Sequence, residues 1–271
     1  MANSWYPGHM AKTVREIGPL LKLIDVIIEL VDARAPSSSS NPLIRQIAKD
    51  KPVILLLNKA DLADPAVTTR WVRHLKSSRS NAVASDVLKG TGLDGAISLL
   101  SSLESKARIK PRALIIGMPN VGKSSLINRF AKRSKAKTGD KPGVTRGKQW
   151  IDIGAADLLD TPGLMPLRVE DPLAWNKLAA LGIIADDLFN REQVALFLAE
   201  QLSQGYLGLL EDRYGIGPGL DPLAALESIA AKRGCLLQGG ALDMEKAYMT
   251  LIRDLRSGRL GRISLEAPDE K

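Results

Sequence analysis

Residues 113–125 read ALIIGMPNVGKSS, an apolar run that passes directly into a glycine-rich loop. The loop fits the pattern G-x-x-x-x-G-K-[S/T], whose fixed positions are Gly117, Gly122, Lys123 and Ser124. Glycines let backbone N–H groups approach phosphate oxygens, and a following helix adds positive potential at its N-terminus. In such a loop the lysine contacts the β- and γ-phosphates, and the hydroxyl binds Mg²⁺. The stretch therefore predicts a phosphate-binding loop between a buried strand and a helix.

A second motif, LLDTPG at 158–163, also ends an apolar run. Alone, D-x-x-G carries little information, but its position after a phosphate loop makes it specific. There Asp160 would hold Mg²⁺ through water, and the N–H of Gly163 would face the γ-phosphate. Thr145, in KPGVTRG, lies between the two motifs, where a γ-phosphate-sensing loop places a metal-binding threonine. The alternative for Thr145 is an ordinary turn residue.

The base-reading motif is NKAD at 58–61, which follows the apolar run VILLL. The carboxylate of Asp61 can accept hydrogen bonds from N1–H and the 2-amino group of guanine, neither of which adenine offers. A polar group left unpaired in this way discriminates strongly between ligands. We expect Lys59 to lie over the base and Asn58 to tie this loop to the phosphate loop.

The order of these motifs is unusual, because the base-reading motif precedes the phosphate loop. In a parallel sheet, the loops after the strands meet at one edge whatever the order in which the chain visits the strands. Joining the termini of an ordinary GTPase and cutting it after the D-x-x-G strand gives the order seen here. The sequence therefore predicts a circularly permuted GTPase.

The rest of the chain supports an α/β fold: a mostly parallel sheet forming a P-loop GTPase domain, followed by a small all-helical C-terminal domain. Apolar strand-like runs alternate with helical patterns up to about residue 165, which is typical of a parallel sheet covered on both faces. Beyond about 172 the chain is rich in Ala and Leu, with no further strand signal. We place the GTPase domain at 1–178 and the helical domain at 179–271.

Composition indicates a globular protein with a polyanionic partner. Hydrophobic residues make up 45% and charged residues 25%, and no apolar run approaches the ~18 residues of a membrane span. Residues 1–184 hold 28 Lys and Arg against 16 Asp and Glu, which favours nucleic acid as partner. With the single Cys235 no internal disulfide can form, so a reducing cytoplasm is expected, without membrane attachment.

The motifs WYPGHMAK, LVDARAP, NKAD, GMPNVGKSS, AKTGDKPGVT, LLDTPG and KRGCL, in this order, resemble the RbgA/YlqF family of ribosome biogenesis GTPases. The resemblance covers practically the whole chain. It implies GTP hydrolysis late in assembly of the large ribosomal subunit, stimulated by the ribosomal particle. It also implies that the C-terminal domain contacts ribosomal RNA. The partners expected are GTP or GDP, the large subunit and its precursor, and ribosomal RNA.

The candidate GTP-binding residues come from the motifs and from one loop that is a weak match. Ala84-Ser85-Asp86 stands where the family has its guanine-contacting loop, and Ser40 stands where relatives typically have arginine. The full candidate set is Asn58, Lys59, Asp61, Ser85, Asp86, Asn120, Val121, Gly122, Lys123, Ser124, Ser125, Thr145, Asp160 and Gly163. Ser124 and Thr145 are the candidate ligands of Mg²⁺.

The catalytic group is not evident from the D-x-x-G motif. Ras-like GTPases place a water-orienting glutamine just beyond it, whereas this chain has Leu164-Met165-Pro166. The resemblance suggests His9 of YPGHM as the catalytic residue; alternatively, the N-terminal arm only packs and His9 is incidental. Asn120 resembles the residue of GTPases that recruit K⁺ to offset charge in the transition state.

Two other functions stay open at this point. A GTP-dependent RNA-modification or transport factor shares PNVGKS but normally has the unpermuted motif order. A GTP-regulated RNA-docking protein with little intrinsic hydrolysis is compatible with the missing glutamine. Turnover with and without large-subunit particles distinguishes the docking protein from a GTPase.

Overall fold

The computed structural model describes residues 21–42, 44, 48, 51–77, 81–103, 110–138, 150–159, 169 and 171–268, with backbone only for 134–138. The chain forms two compact units, Met1–Val169 together with Glu266–Lys271, and Glu170–Leu265. The division expected between 178 and 179 falls inside a helix of the second unit, Pro172–Ala180.

A six-stranded sheet forms the centre of the first unit, in the order β3-β2-β1-β4-β6-β5. Five strands run parallel, and β5 pairs antiparallel with β6 at the edge. This is the predicted mostly parallel P-loop fold with permuted connections, and its strands are β1 Val26–Asp32, β2 Val53–Asn58, β3 Asn81–Ala84, β4 Arg112–Gly117, β5 Trp150–Asp152 and β6 Asp157–Leu159.

The sheet is buried because its central strands carry apolar side chains on both faces. Every residue of β1 is buried. One cluster packs Ile27 with Leu114 and Ile116, and another packs Val31 with Leu57 and other apolar residues. Near-continuous apolar strands of this kind need cover on both faces.

The register of the parallel strands brings the motif loops to a common edge. Asp32 at the end of β1 lies opposite Asn58 at the end of β2, and Leu30 lies opposite Gly117 at the end of β4. The two halves of the expected nucleotide site therefore emerge from neighbouring strands, although they are far apart along the chain.

The helices of the first unit follow the sequence pattern. The side chain of Asp64 accepts from the N–H groups of Ala66 and Val67, which caps the helix that begins at Pro65. The described helices of this unit are α1 Pro36–Ser39, α2 Pro65–Ser77, α3 Leu93–Ser101 and α4 Lys123–Thr138.

Ser40, which stands where relatives typically have arginine, lies just beyond α1. Its hydroxyl donates to Oε1 of Glu29, at 2.8 Å, and the Asn41 N–H donates to the same oxygen, at 3.1 Å. Glu29 is buried within β1. In this chain a hydroxyl and a backbone N–H therefore satisfy a buried carboxylate at the position of that arginine.

The second unit is helical, as predicted. Asp221 accepts from the N–H groups of Leu223 and Ala224, and Gly234 follows the helix end with φ 62°. In the described residues of this unit the β-structure is limited to a single bridge, Leu236 to Leu242. The helices are α5 Pro172–Ala180, α6 Arg191–Gly205, α7 Leu207–Tyr214, α8 Pro222–Lys232 and α9 Met244–Arg256. None of the described helices is long and apolar enough to cross a membrane.

The C-terminal segment returns to the first unit at Glu266. The Glu266 carboxylate accepts from the N–H groups of Ser37 and Ser38, and from the Ser38 hydroxyl at 2.6 Å. Its carbonyl accepts from Nε1 of Trp71, at 3.1 Å. Glu266 is therefore anchored on α1 and α2 of the first unit.

Candidate nucleotide-binding site

The phosphate loop joins β4 to the first turn of α4, as the sequence predicted. Lys123 is buried, and its Nζ donates to the carbonyl of Met118, at 2.9 Å. This contact holds the ammonium over its own loop. The next residue, Ser124, is exposed in the first turn of the helix. The arrangement offers a lysine charge, an exposed hydroxyl and a helix N-terminus to a phosphate chain.

Asn58 connects the base-reading motif to the phosphate loop, which confirms the predicted tie. Its Nδ2 donates to the carbonyl of Val121 at 2.7 Å, and its Oδ1 accepts from the Val87 N–H at 3.0 Å. Gly122 has φ 109°, and a Cβ there would collide with the Asn58 amide. The glycine is therefore required by both backbone conformation and the close approach of Asn58.

Arg129 of α4 makes a second connection between the two halves, which the sequence did not reveal. Its guanidinium donates to the carbonyl of Leu88, at 3.2 Å, and to the carbonyl of Lys89. Gly90 has φ 87°, and a Cβ there would lie 2.5 Å from NH2 of Arg129. The helix after the phosphate loop therefore holds the loop that follows β3.

The loop after β2 is shaped for a ligand at the sheet edge. Lys59 adopts φ 61°, and the Ala60 N–H donates to the carbonyl of Ser85, at 3.0 Å. This bond places Ser85 and Asp86 beside the NKAD loop. Asp61 is partly exposed. The structure therefore brings Asn58, Lys59, Asp61, Ser85 and Asp86 together.

Two buried polar atoms in this region have no hydrogen-bond partner among the described residues. These are the Ser85 hydroxyl and Oδ2 of Asp86. The ammonium of Lys89 lies 3.7 Å from that carboxylate oxygen, and Oδ1 of Asp86 accepts from the Lys89 N–H, at 3.1 Å. Because buried polar groups are nearly always hydrogen-bonded, unsatisfied ones mark places where a ligand could bind. The two unpaired atoms are consistent with the expected contacts of Ser85 and Asp86 to a guanine base.

Asp32 and Arg34 lie at the same edge and were missed as site residues. Asp32 is fully buried at the end of β1, and Arg34 pairs with it through Nε, at 2.9 Å, and NH2, at 2.8 Å. Oδ2 of Asp32 also lies 3.1 Å from Nζ of Lys59. A charged pair at the end of a buried strand, within LVDARAP, was the signal that could have identified them.

The charge on Asp32 is stable in this setting. Burial alone would raise the pKa of Asp32, but Arg34 and Lys59 outweigh burial and hold that pKa well below its ordinary value. The carboxylate is therefore ionised at neutral pH, and it fixes the ammonium of Lys59 at the base-reading loop. Asp32 therefore positions the side chain of Lys59.

Comparison with known proteins agrees with this geometry. A family model described as 50S ribosome-binding GTPase matches residues 112–208. Ribosome biogenesis GTPase A of Bacillus licheniformis is 44% identical over 282 residues, covering 100% of both chains. The protein of the same name from Thermotoga maritima is 31% identical over 268 residues, covering 98% of this chain and 95% of that one.

The chain belongs to the ribosome biogenesis GTPase A family. A crystal structure of GNP-bound YlqF from T. maritima aligns with a TM-score of 0.70 at 28% identity, covering 96% of this chain and 100% of that one. The permuted order of the motifs is thus consistent with the family, and the resemblance inferred from the motifs is confirmed.

Four of the predicted site residues lie outside the described part of the chain: His9, Thr145, Asp160 and Gly163. Their roles stay predictions. Two described members of the phosphate loop, Asn120 and Ser125, lie at its tip and in the first turn of α4. Asn120 is exposed and has φ 60°.

GTPases of this kind generally use Mg²⁺, and the exposed hydroxyl of Ser124 at the start of α4 fits the role of a ligand. The described residues contain no group of three or more His, Cys, Asp or Glu side chains that could hold a metal ion. A phosphate-loop metal does not require such a group, since a hydroxyl and phosphate oxygens supply ligands.

Proposed function

We propose that this protein is a GTPase that binds ribosomal particles and assists late assembly of the large ribosomal subunit, in the cytoplasm, hydrolysing GTP to GDP and phosphate. The observation that carries the nucleotide part is the bond from Asn58 to Val121, which joins the guanine-reading loop to the phosphate loop. The names of the relatives, ribosome biogenesis GTPase A among them, support the ribosomal part.

The roles of the site residues follow from their chemistry. Asp61 would accept hydrogen bonds from guanine, and Lys59 would lie along the base. Lys123 would neutralise β- and γ-phosphate charge. When Mg²⁺ is bound, it offsets charge on the phosphate oxygens. Ser124 and Thr145 would bind Mg²⁺ directly, and Asp160 would bind it through a water molecule.

Hydrolysis requires a group that orients water. Leu164-Met165-Pro166 offers none, so we propose His9 as that group, with K⁺ near Asn120 as a further source of positive charge. The missing glutamine also favours a second candidate function, a GTP-regulated RNA-docking protein with little intrinsic hydrolysis. Changing His9→Ala should lower stimulated turnover roughly 10- to 10⁴-fold. A collapse of nucleotide affinity instead would make His9 structural.

Base recognition is tested by changing Asp61→Asn. An amide in place of the carboxylate presents a donor where guanine also donates, so GTP affinity should fall while xanthosine triphosphate affinity rises. Competition binding against both nucleotides measures the change. Ser98→Asn, on the exposed side of α3, is a surface control that should change neither. An unaltered preference for GTP in the Asp61 variant would remove Asp61 from the base site.

Ribosome binding is tested by co-sedimentation with large-subunit particles. We expect tighter binding with a non-hydrolysable GTP analogue than with GDP, because ordering the loop around Thr145 would fix nearby basic side chains against RNA phosphates. Thr145→Ala should reduce that preference, and binding in both states should weaken with salt. Equal affinity in both nucleotide states would contradict this coupling, since a ligand shifts an equilibrium only through differential binding.

A further inference from the structure

The second unit has an uneven distribution of charge. Over 170–265 it carries 10 Lys and Arg against 13 Asp and Glu, so the unit as a whole does not attract polyanions. Two of its arginines have partners away from Asp254. Arg256 donates to the carbonyls of Ala179 and Ala180, and Arg191 pairs with Glu245. The arginines at the ends of α7, α8 and α9 are arranged differently.

These arginines surround the carboxylate of Asp254, which is buried in α9. Arg213, in the last turn of α7, donates through Nε to Oδ2 at 2.8 Å, and its NH2 lies 2.7 Å from the same oxygen. NH2 of Arg233, just after α8, lies 4.0 Å from Oδ2, and NH1 of Arg259 lies 3.8 Å from Oδ1. We call Arg213, Arg233 and Arg259 the arginine cluster.

Two members of the cluster, Arg213 and Arg233, are held in place by contacts within the unit. Arg233 donates to the carbonyl of Arg213 at 3.1 Å and lies 5.0 Å from the ring centroid of Tyr214. The buried Tyr214 hydroxyl donates to Oδ2 of Asp254 at 3.0 Å. Burial, followed by the charge of Asp254, raises the pKa of Tyr214, and hydrogen bonding to Asp254 raises the pKa of Arg213. Tyr214 therefore stays neutral and Arg213 stays charged.

The cluster carries more positive charge than Asp254 can neutralise. One carboxylate faces three guanidinium groups, whose side chains are 28%, 33% and 69% exposed for Arg213, Arg233 and Arg259. The ammonium of Lys232 is also close, since a Cβ on Gly215 beside Tyr214 would lie 2.8 Å from Nζ. A single negative charge balances only one of these cations. The surplus charge is turned towards solvent.

We propose that the arginine cluster, held by Asp254, binds phosphate groups of an RNA backbone. Guanidinium groups form paired, charge-assisted hydrogen bonds to phosphate oxygens, and ordering in advance reduces the entropy lost on binding. Exposed acidic residues, Glu211 and Asp212, precede Arg213 along α7. We expect these carboxylates to limit the attraction to a few phosphates at the cluster. The choice of RNA over another polyanion rests on the proposed ribosomal function.

The test compares two double variants of this protein, each of which lacks two positive charges. The cluster variant, Arg233→Gln with Arg259→Gln, removes two of the three arginines of the cluster. The control variant, Lys246→Gln with Arg253→Gln, removes two exposed cations of α9 outside the cluster. The probe is a fluorescent RNA duplex of about 16 base pairs. Anisotropy gives its dissociation constant while potassium chloride is raised from about 50 to 200 mM.

The cluster variant should weaken RNA binding about 10- to 100-fold at low salt. It should also reduce the slope of log affinity against log salt by roughly two, because each phosphate that a cation neutralises contributes about one to that slope. The control variant should change affinity only a few-fold and leave the slope nearly unaltered. Arg259→Lys, which keeps the charge, should retain most of the affinity that Arg259→Gln loses.

Equal weakening by the cluster and control variants, or no weakening by either, would overturn the proposal. So would a wild-type protein that does not bind the duplex. Thermal unfolding checks the fold of each variant, and Arg259→Gln alone serves if the double variant is unfolded, because that side chain is mostly exposed. Co-sedimentation with ribosomal particles is measured in parallel. Failure of the wild type to bind particles would reject the proposed function even if the cluster binds RNA.

Discussion

Two buried aspartates, Asp32 in the first unit and Asp254 in the second, each gather basic side chains, but the cations differ in exposure. Around Asp32, Arg34 is 1% exposed and Lys59 is 24% exposed. Around Asp254, the side chains of the three arginines are 28% to 69% exposed. At Asp32 the paired guanidinium is buried, and the carboxylate positions the loop that carries Lys59. At Asp254 the paired guanidinium groups reach the surface and present charge to solvent.

The exposure of the cation, more than the burial of the carboxylate, decides what such an arrangement does. A buried guanidinium cannot reach a ligand, and it becomes costly when its partner is removed. A guanidinium at the surface can exchange a carboxylate for a phosphate with little desolvation. The same chemical pair therefore supports a nucleotide loop in one unit and, in our proposal, an RNA contact in the other.

The largest effect is expected for Asp32→Asn. The substitution leaves the buried guanidinium of Arg34 without its counter-charge, so the free energy of unfolding should fall by about 3 to 5 kcal/mol. Urea unfolding measures the change. Asp152→Asn is the matched control, since its pair with Lys110 lies at the surface of the same sheet and should contribute at most about 1 kcal/mol. Similar losses in both variants would remove the distinction drawn for Asp32.

Asp254→Asn should have a smaller effect on stability, with a loss of about 1.5 to 3 kcal/mol. Its arginines reach water, so they can be solvated when the carboxylate is gone. RNA affinity should nevertheless fall, although the substitution adds one positive charge, because the arginine cluster loses its order. Anisotropy with the RNA duplex measures this. Tighter RNA binding would show that net charge, and not the arrangement, governs the contact.

The smallest effect on stability is expected for Lys59→Gln. Arg34 still pairs with Asp32, so the free energy of unfolding should change by less than about 1 kcal/mol. GTP affinity should fall about tenfold, equivalent to about 1.4 kcal/mol. Lys110→Gln removes a surface cation of the same unit and should leave GTP affinity unchanged. A large loss of stability with unchanged GTP affinity in Lys59→Gln would mean that Lys59 serves the fold and not the nucleotide.

Much of the fold was predictable, because the motifs end strands of one parallel sheet. The apolar run before Asn58 and the run before Gly117 predicted β2 and β4, and parallel pairing then required their loops to share an edge. The tie from Asn58 to the phosphate loop followed from that geometry. These features depend on local pattern together with a general rule of sheet topology.

Other features depend on contacts that no local pattern encodes. Arg129 reaches the carbonyls after β3 from a helix that follows later in the chain. Glu266 contacts α1, although it lies more than 220 residues later in sequence. The arginine cluster likewise unites the ends of three helices. The sequence indicated that the last basic stretch could be a solvated face, and it held no sign that Asp254 gathers arginines from α7 and α8.

We propose that GTP hydrolysis by this protein is stimulated by the large ribosomal subunit, and turnover with and without purified large-subunit particles tests this most directly. Phosphate release from saturating GTP is followed for the wild type and for Lys123→Ala, which lacks the phosphate-loop charge. We predict slow turnover alone, a clear increase with particles, and none in the variant under either condition. Turnover in the wild type that is the same with and without particles would contradict the account.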